Sequence, residues 1–446
     1  MPATAPHLSG IMARAAPHSP PVGFDLPSVV ALLVGNMVGT GVFTSLGFQV
    51  VGTQSGFALL ALWFVGGLLS LMGALCYAEL GAMLPRSGGE YVYLARAWSP
   101  ALGFTGGFVS ITAGFAAPIA IAAMAFGRYA AAVVPVPPLA ATCAVIAVVA
   151  TVHWAHVHGA RRFQVATSTV TIGVILVFVA VGLTRGPVEP LAFAPTAVAW
   201  REIAAAPFAV SLIYVVYAYH GWNAVGYVAG EIREAQRVIP RAVVGAVLLV
   251  GSLYLLLHLV FLRTTPMTAL AGTVEVAALS ATRILGPMGG RVMSGMIAAV
   301  LLATVSGFLL AGSRVTQAVT AGTRRLAWVG VRSADGVPRR ALAVQVGLAL
   351  ILIATSTFET VVAYAGVVLN LMNLFAVLGV MRLRRIAPEL PRPFRVPLYP
   401  LVPLGFTAIS IWMIGFTINQ RPGVLLSAVA TLLAGTVVYR VVGRAE

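Results

Sequence analysis

The hydrophobic positions of this chain neither alternate with polar ones at the period of a strand nor form a single stripe along a helix. They run on for many residues at a time, separated by short clusters of Pro, Gly and Arg. A bilayer core takes about 20 mostly apolar residues per helix, and every backbone polar group must be satisfied within the span. Measured against that length, the chain predicts twelve helices: 26–51, 57–83, 101–133, 139–155, 163–183, 203–230, 242–262, 292–313, 341–356, 360–381, 398–418 and 424–440. Two of them are unusual. The first carries Gly35, Gly39 and Gly41 with Asn36 and Thr40 near its middle, and the sixth carries His220, Gly221 and Asn223 at the same relative position. Each Gly weakens a helix interior by about 1 kcal/mol, and polar side chains are costly in lipid. Interrupted helices five spans apart are the pattern of an inverted-repeat transporter, whose broken helices offer backbone N–H and C=O groups to a substrate at mid-bilayer. The competing explanation is small residues that let helices pack closely.

Composition supports lipid as the solvent. Hydrophobic residues make up 59% and charged residues 9% of the 446 positions, against roughly a quarter charged in a soluble domain. The net charge is +16, and all 28 basic residues are Arg. Nucleic-acid binding would need them clustered on a solvated face. They fall instead in the gaps between spans, and 21 of the 28 lie in segments that share a side with the N-terminus. The excess of positive charge on cytoplasmic loops therefore predicts a multi-pass protein of the cell's inner (plasma) membrane with both termini cytoplasmic. Cys76 and Cys143 lie within apolar runs, which argues against a disulfide framework. The Pro/Ala/His/Ser-rich start reads as a cytosolic tail over 1–25, without the apolar core of a signal peptide. His153, His156 and His158 sit at an interfacial helix end without Cys or acidic neighbours, so no metal site is expected there. G-T-G at 39–41 lies inside a span and is no nucleotide fingerprint. With no P-loop, no H-E-x-x-H and no convincing catalytic pair within the spans, neither an enzyme nor an ATP-driven pump is expected, and no cofactor.

Four stretches in order along the chain carry a resemblance. They are G-T-G-V-F at 39–43, Y-A-E-L-G-A-M-L-P-R-S-G-G-E-Y-V-Y-L at 77–94, Y-A-Y-H-G-W-N at 217–223 with E-I-R-E-A-Q-R-V-I-P-R at 231–241, and L-R-R-I-A-P-E-L-P-R-P-F-R-V-P-L-Y-P at 383–400. Together they resemble the amino acid–polyamine–organocation superfamily, most closely its L-amino-acid transporter branch. The resemblance implies an all-α integral membrane protein of the LeuT type: twelve transmembrane helices, the first ten forming a 5+5 inverted repeat, with helices 1 and 6 broken. The transport core would then cover 26–383, and helices 11 and 12 with the C-terminal tail would occupy 384–446. The implied substrates are amino acids or their amine derivatives.

By the same resemblance, the backbone N–H groups of Gly39, Thr40 and Gly41 would receive a substrate carboxylate at the start of a half-helix. Carbonyls at Met37 and Val38, and at Tyr217, Ala218 and His220, would receive the ammonium. Tyr217 holds the place of an aromatic gate. His220 stands where the branch commonly has a small Gly. It would limit substrate size or titrate during transport, unless it is simply hydrogen-bonded to a neighbouring helix. Thr171 stands where many relatives carry a Lys whose ammonium substitutes for sodium. Thr304 and Ser306 could offer hard oxygen ligands to that ion, or else pack between helices. Glu79 and Glu231, near Arg86 and Arg233, would be solvated helix ends or inner-gate ion pairs. Arg314 is open to the same two readings, as a snorkelling side chain or a gate charge. The 133–139 loop lacks the Cys that attaches a helper subunit in animal relatives, so no disulfide-linked partner is expected. The resulting expectation is a secondary amino-acid transporter working by alternating access, through exchange or ion-coupled symport. A sensor that binds an amino acid on the same scaffold without moving it is the alternative.

Overall fold

The computed structural model describes residues 23–155, 160–191, 193–333 and 335–442, and only the backbone of 160–167 and 418. The terminal residues 1–22 and 443–446, with His156 and His158, lie outside the described residues. Among the described residues the chain is helical and holds no strand. Its extended pairing is a parallel bridge between Phe24 and Ile232. Among the described residues, nine helical runs are long and apolar enough to cross a membrane, and a tenth is added if the bent pair Ala197–Ala204 and Ala206–Tyr219 is one span. Helices Arg339–Thr355 and Leu401–Gln420 fall where two further spans were expected.

The helix starts follow from local chemistry. Asp25 caps Leu26–Met37 through the Ser28 N–H at 3.2 Å, with Pro27 in the first turn. Ser55 caps Gly56–Met83, Ser99 caps the helix opened by Pro100, and Thr357 caps Phe358–Ile386. Each supplies the side-chain oxygen that the first free amides need. Below, a span is numbered by its place in the expected series: span 2 is Gly56–Met83, span 3 Pro100–Ala131, span 4 Pro138–Ala155, span 5 Ala160–Arg185, span 7 Ala235–Thr264, span 8 Val276–Ala321, span 9 Arg339–Thr355 and span 10 Phe358–Ile386. Spans 1 and 6 are interrupted at Val38–Gly39 and at His220–Gly221.

Three boundaries differ from the hydrophobic pattern. The sixth span was expected from 203, but Ala197–Ala204 is a separate helix bent by 68° from Ala206–Tyr219, because Ala205 is extended and Pro207 restarts the helix. The eighth was expected over 292–313. The helical run extends from Val276 to Ala321 and is broken at Gly286 (φ 75°), followed by Pro287. A short helix, Glu90–Ala97, occupies the stretch between spans 2 and 3, where the hydrophobic pattern predicts no element.

At one end of the bundle, Glu79 is fully buried and does not serve as a solvated helix end. Its carboxylate accepts from Arg384 Nε at 2.9 Å, Arg384 Nη2 at 2.5 Å and the Val396 N–H at 2.8 Å, with Arg392 Nε 3.6 Å away. The Arg384 guanidinium lies 3.8 Å over the Tyr399 ring. Span 10 runs on to Ile386 and so delivers Arg384 to span 2, a pairing that sequence proximity to Arg86 did not suggest. Glu231 and Arg314, by contrast, are exposed. Glu79→Ala would leave buried guanidinium charge uncompensated, a loss of about 3 kcal/mol or more for a broken buried pair. The expected outcome is a clear fall in Tm of the detergent-solubilised protein, followed by intrinsic fluorescence, with Glu231→Ala unchanged.

Candidate functional site

Span 1 stops at Met37 because Val38 (ψ 84°) and Gly39 (ψ −143°) leave helical geometry, and the helix resumes at Thr40. Span 6 stops at Tyr219, because His220 is extended and Gly221 has φ 134°, a conformation that disfavours any side chain. The two interruptions pack against each other. A Cβ on Gly41 would meet Ala218 Cβ at 2.5 Å, and one on Gly221 would meet Asn36 C at 2.6 Å. Glycine is required at both places by the closeness of the chains.

Span 7 ties the two breaks together. The fully buried Tyr254 hydroxyl lies 2.7 Å from Met37 O and 3.1 Å from Ala218 O. One phenol is thus shared by a carbonyl from each broken helix. Its ring stacks edge-on against Trp63 of span 2 at 5.5 Å and packs on Tyr219 at 4.9 Å. The Tyr219 hydroxyl in turn donates to Trp63 O at 3.1 Å.

Between the breaks lies a cavity of about 50 Å³, lined from span 1 by Asn36, Met37, Gly39, Thr40 and Gly41, and from span 6 by Tyr217, Ala218, His220, Asn223 and Tyr227. Span 3 contributes Gly114, Phe115 and Pro118, and span 8 contributes Phe308. No carboxylate or guanidinium is among these lining residues. The span 3 wall is a seven-residue π-helical segment, Ser110–Ala116, a local widening frequent at functional sites. Gln345 of span 9 supports it, donating to Ile111 O at 3.1 Å and to Thr316 Oγ1 at 2.8 Å. His220 Nε2 is a buried atom without a hydrogen-bond partner, although the cavity lies beside it.

Of the residues singled out in the sequence, Met37, Gly39, Thr40, Gly41, Tyr217, Ala218 and His220 come together around this cavity. Val38 does not. It lines a second cavity of about 30 Å³ between spans 1, 5 and 8, together with Thr171 and Thr304. Ser306 is elsewhere. A two-residue step, about 200° of rotation, turns it to the opposite face of the helix from Thr304, and its hydroxyl meets His153 Nε2 of span 4 at 2.8 Å. Thr304 itself donates to Val300 O at 2.9 Å. On the side of the site away from Glu79, Phe48 and Phe358 stack at 6.0 Å and Phe48 meets Tyr214 at 6.0 Å. The Tyr214 hydroxyl donates to Glu359 at 2.8 Å, and Arg421 pairs with the same carboxylate.

Sequence reasoning passed over Tyr254, Phe115, Phe308 and Tyr227. Gly114 and Pro118 inside the third span were a signal for the irregular wall; a lone Tyr in span 7 offered none. Tyr254→Phe removes the donor shared by two buried carbonyls, an expected loss of about 1–3 kcal/mol. Thermal melts should show the drop, and ligand protection against heat should weaken with it.

Two comparisons with known proteins bear on this site. The family model described as amino acid permease matches residues 24–441. The chain is 28% identical to the large neutral amino acids transporter small subunit 2 of Mus musculus, over 93% of this chain and 80% of that protein. It is 26% identical to the Asc-type amino acid transporter 1 of Homo sapiens, over 93% of this chain and 81% of that protein. It is also 27% identical to the serine/threonine exchanger SteT of Bacillus subtilis (strain 168), over 92% of this chain and 94% of that protein.

Proposed function

The chain belongs to the amino acid permease family, and from that premise we propose that it is a secondary transporter of neutral amino acids that works by exchange. The observation that carries this reading is the cavity bounded by both helix breaks, with Tyr254 joining them. A zwitterion leaving water needs donors for its carboxylate and acceptors for its ammonium. The opening amides of the resumed helix at Thr40 and Gly41 lack partners one turn earlier and sit at a partly positive helix end. Carbonyls around Tyr217, Ala218 and His220 are the complementary acceptors, and Tyr217 is the gating side chain. Met37 O already receives both Tyr254 and the Gly39 N–H, the latter at 2.9 Å, so of the two carbonyls bound by Tyr254 it is Ala218 O that keeps a lone pair for the ammonium.

The absence of charged side chains from the cavity lining supports neutral substrates, since a charged side chain there would lie buried without a counter-ion. The named relatives include a serine/threonine exchanger and a transporter of large neutral amino acids. The small cavity and His220 favour the smaller end of that range. The twelve-span, 5+5 repeat architecture in a plasma membrane, with termini and the Arg-rich end cytoplasmic, belongs to the same proposal. It is supported by the positions of the two breaks and by the distribution of Arg. Segment 133–139 has no Cys, which favours a chain that works without a disulfide-linked subunit.

Counterflow in proteoliposomes with a mixed panel of labelled amino acids tests the function. Uptake driven by unlabelled L-serine or L-threonine inside is expected; saturable binding without any flux would make the protein a sensor. His220→Gly is expected to shift the uptake profile toward larger side chains, by about tenfold in relative uptake for leucine over serine, the scale of about 1.4 kcal/mol. An unchanged profile would remove His220 from specificity. Replacing sodium by choline should leave counterflow intact, because no carboxylate lines the cavity that Thr171 and Thr304 share, and a cation there would lack a counter-charge. A loss of flux would instead give Thr171 and Thr304 an ion to hold.

A further inference from the structure

Beneath the cavity, on the side of Glu79, lies a second buried carboxylate that the reading above does not use. Glu90 opens the helix Glu90–Ala97 and is 4% exposed. Among the described residues no cation lies within ion-pair distance of it, which is costly for a buried carboxylate unless donors surround it. Donors do surround it. Oε1 accepts from Asn223 Nδ2 at 2.7 Å and faces the Tyr77 hydroxyl at 3.2 Å, and Oε2 accepts from the Tyr227 hydroxyl at 2.5 Å. Asn223 and Tyr227 are cavity-lining residues of the interrupted sixth span. Tyr227 also meets Ser110 Oγ at 2.9 Å, where the π-helical wall begins.

The residues just before Glu90 bind the same segment. The N–H groups of Gly88 and Gly89 donate to Gly226 O at 3.1 and 2.9 Å, and the Gly230 N–H donates to Ser87 Oγ at 3.1 Å. Gly88 and Gly89 have φ of 142° and 54°. A Cβ on Gly89 would stand 2.7 Å from the Tyr227 ring, and one on Gly226 would stand 2.9 Å from Gly89 Cα. The S-G-G-E stretch is therefore shaped to lie on 223–230, and its carboxylate ends against two residues that wall the cavity.

We propose that Glu90 is a positioning residue of the transport cycle: it holds Asn223 and Tyr227 in place as the inner wall of the cavity, and the contact of 87–90 with 223–230 is the latch that parts when the cavity opens toward the Arg-rich end. The mechanism rests on the transporter reading; the latch itself is read without it. Hydrogen bonds to a carboxylate hold strongly while water is excluded and are readily exchanged for water once the segment lifts. Such a contact closes firmly yet reopens.

The test introduces Ala224→Cys as a reporter, because Ala224 lines the cavity beside Asn223, with the exposed Cys143 changed to Ser. Labelling by a membrane-impermeant maleimide is timed from the Arg-rich face of oriented vesicles. Glu90→Ala is expected to raise the labelling rate at least tenfold. Glu90→Gln, whose carbonyl still accepts from Asn223 and whose amide can donate to the Tyr227 oxygen, should change it less than threefold. Should Glu90→Ala fail to fold, Tyr227→Phe removes a single donor and should raise the rate about threefold. Equal labelling rates with Glu90 intact and removed, or with Tyr227 and Phe where Ala does not fold, overturn the latch. Counterflow of L-serine in the same preparations gives the second readout. Glu90→Ala should raise the external KM several-fold and Glu90→Gln should restore it; an unchanged KM in Glu90→Ala also overturns the positioning role. Absent counterflow with an intact latch response would instead overturn the transporter reading alone.

Discussion

A carbonyl released in the middle of a membrane must find a donor, because lipid supplies none and the interrupted helix has just withdrawn its own. This constraint organises the centre of the protein. Tyr254 answers it for both broken helices with a single hydroxyl, held between Met37 O and Ala218 O. Everything nearby is arranged to let that happen. Gly41 and Gly221 remove the side chains that would keep the two breaks apart, and Trp63 and Tyr219 pack the phenol from the sides. What remains unclaimed is the opening turn of amides at Thr40 and Gly41 and the second lone pair of Ala218 O, since Met37 O also receives the Gly39 N–H. That suits a zwitterion which has to leave again. A charged cage would bind it more tightly and release it more slowly.

The two ends of the site are closed by different chemistry. Toward the Arg-rich end the contacts are backbone amides on Gly226 O, a serine hydroxyl and a buried carboxylate ringed by donors. Toward the opposite end they are stacked rings at Phe48, Tyr214 and Phe358, with Glu359 pinned between Tyr214 and Arg421. Polar latches exchange readily with water once exposed, whereas aromatic stacks separate by sliding and re-cover apolar surface. The Glu79 cluster lies beside the polar end but belongs to the scaffold. Its carboxylate, on span 2, is held by Arg384 of span 10 and by Arg392 and the Val396 amide beyond that span.

Both interruptions were legible in the chain because glycine and asparagine are conspicuous in a run of Val, Leu and Ala. The chemistry of what holds them was not. Tyr254 sits in a 30-residue apolar helix and looks like packing until span 7 is placed across both breaks. Ser306 looked like a partner of Thr304, but residues two apart on a helix point to opposite faces, and its hydroxyl belongs to His153. Glu79 was read with its sequence neighbour Arg86, while its partner comes from 305 residues away. The bend at Ala205 and the break at Gly286 were hidden for the same kind of reason. Hydropathy averaged over a window is blind to a single backbone dihedral, and Pro207 and Pro287 were the marks that could have revealed them.

The bridge between Phe24 and Ile232 is small, two hydrogen bonds of 2.9 and 3.1 Å, yet it joins the start of the first broken helix to the exit of the second. Together with Tyr254 it fixes these helices to each other at two points along their length. Two attachment points define an axis, so movement of one helix relative to the other is confined to turning about the line that joins them. Through Tyr254 and Trp63, spans 7 and 2 ride with them. That line passes close to the cavity between the breaks, so turning of one helix about it would change the shape of the cavity while leaving both attachments in place.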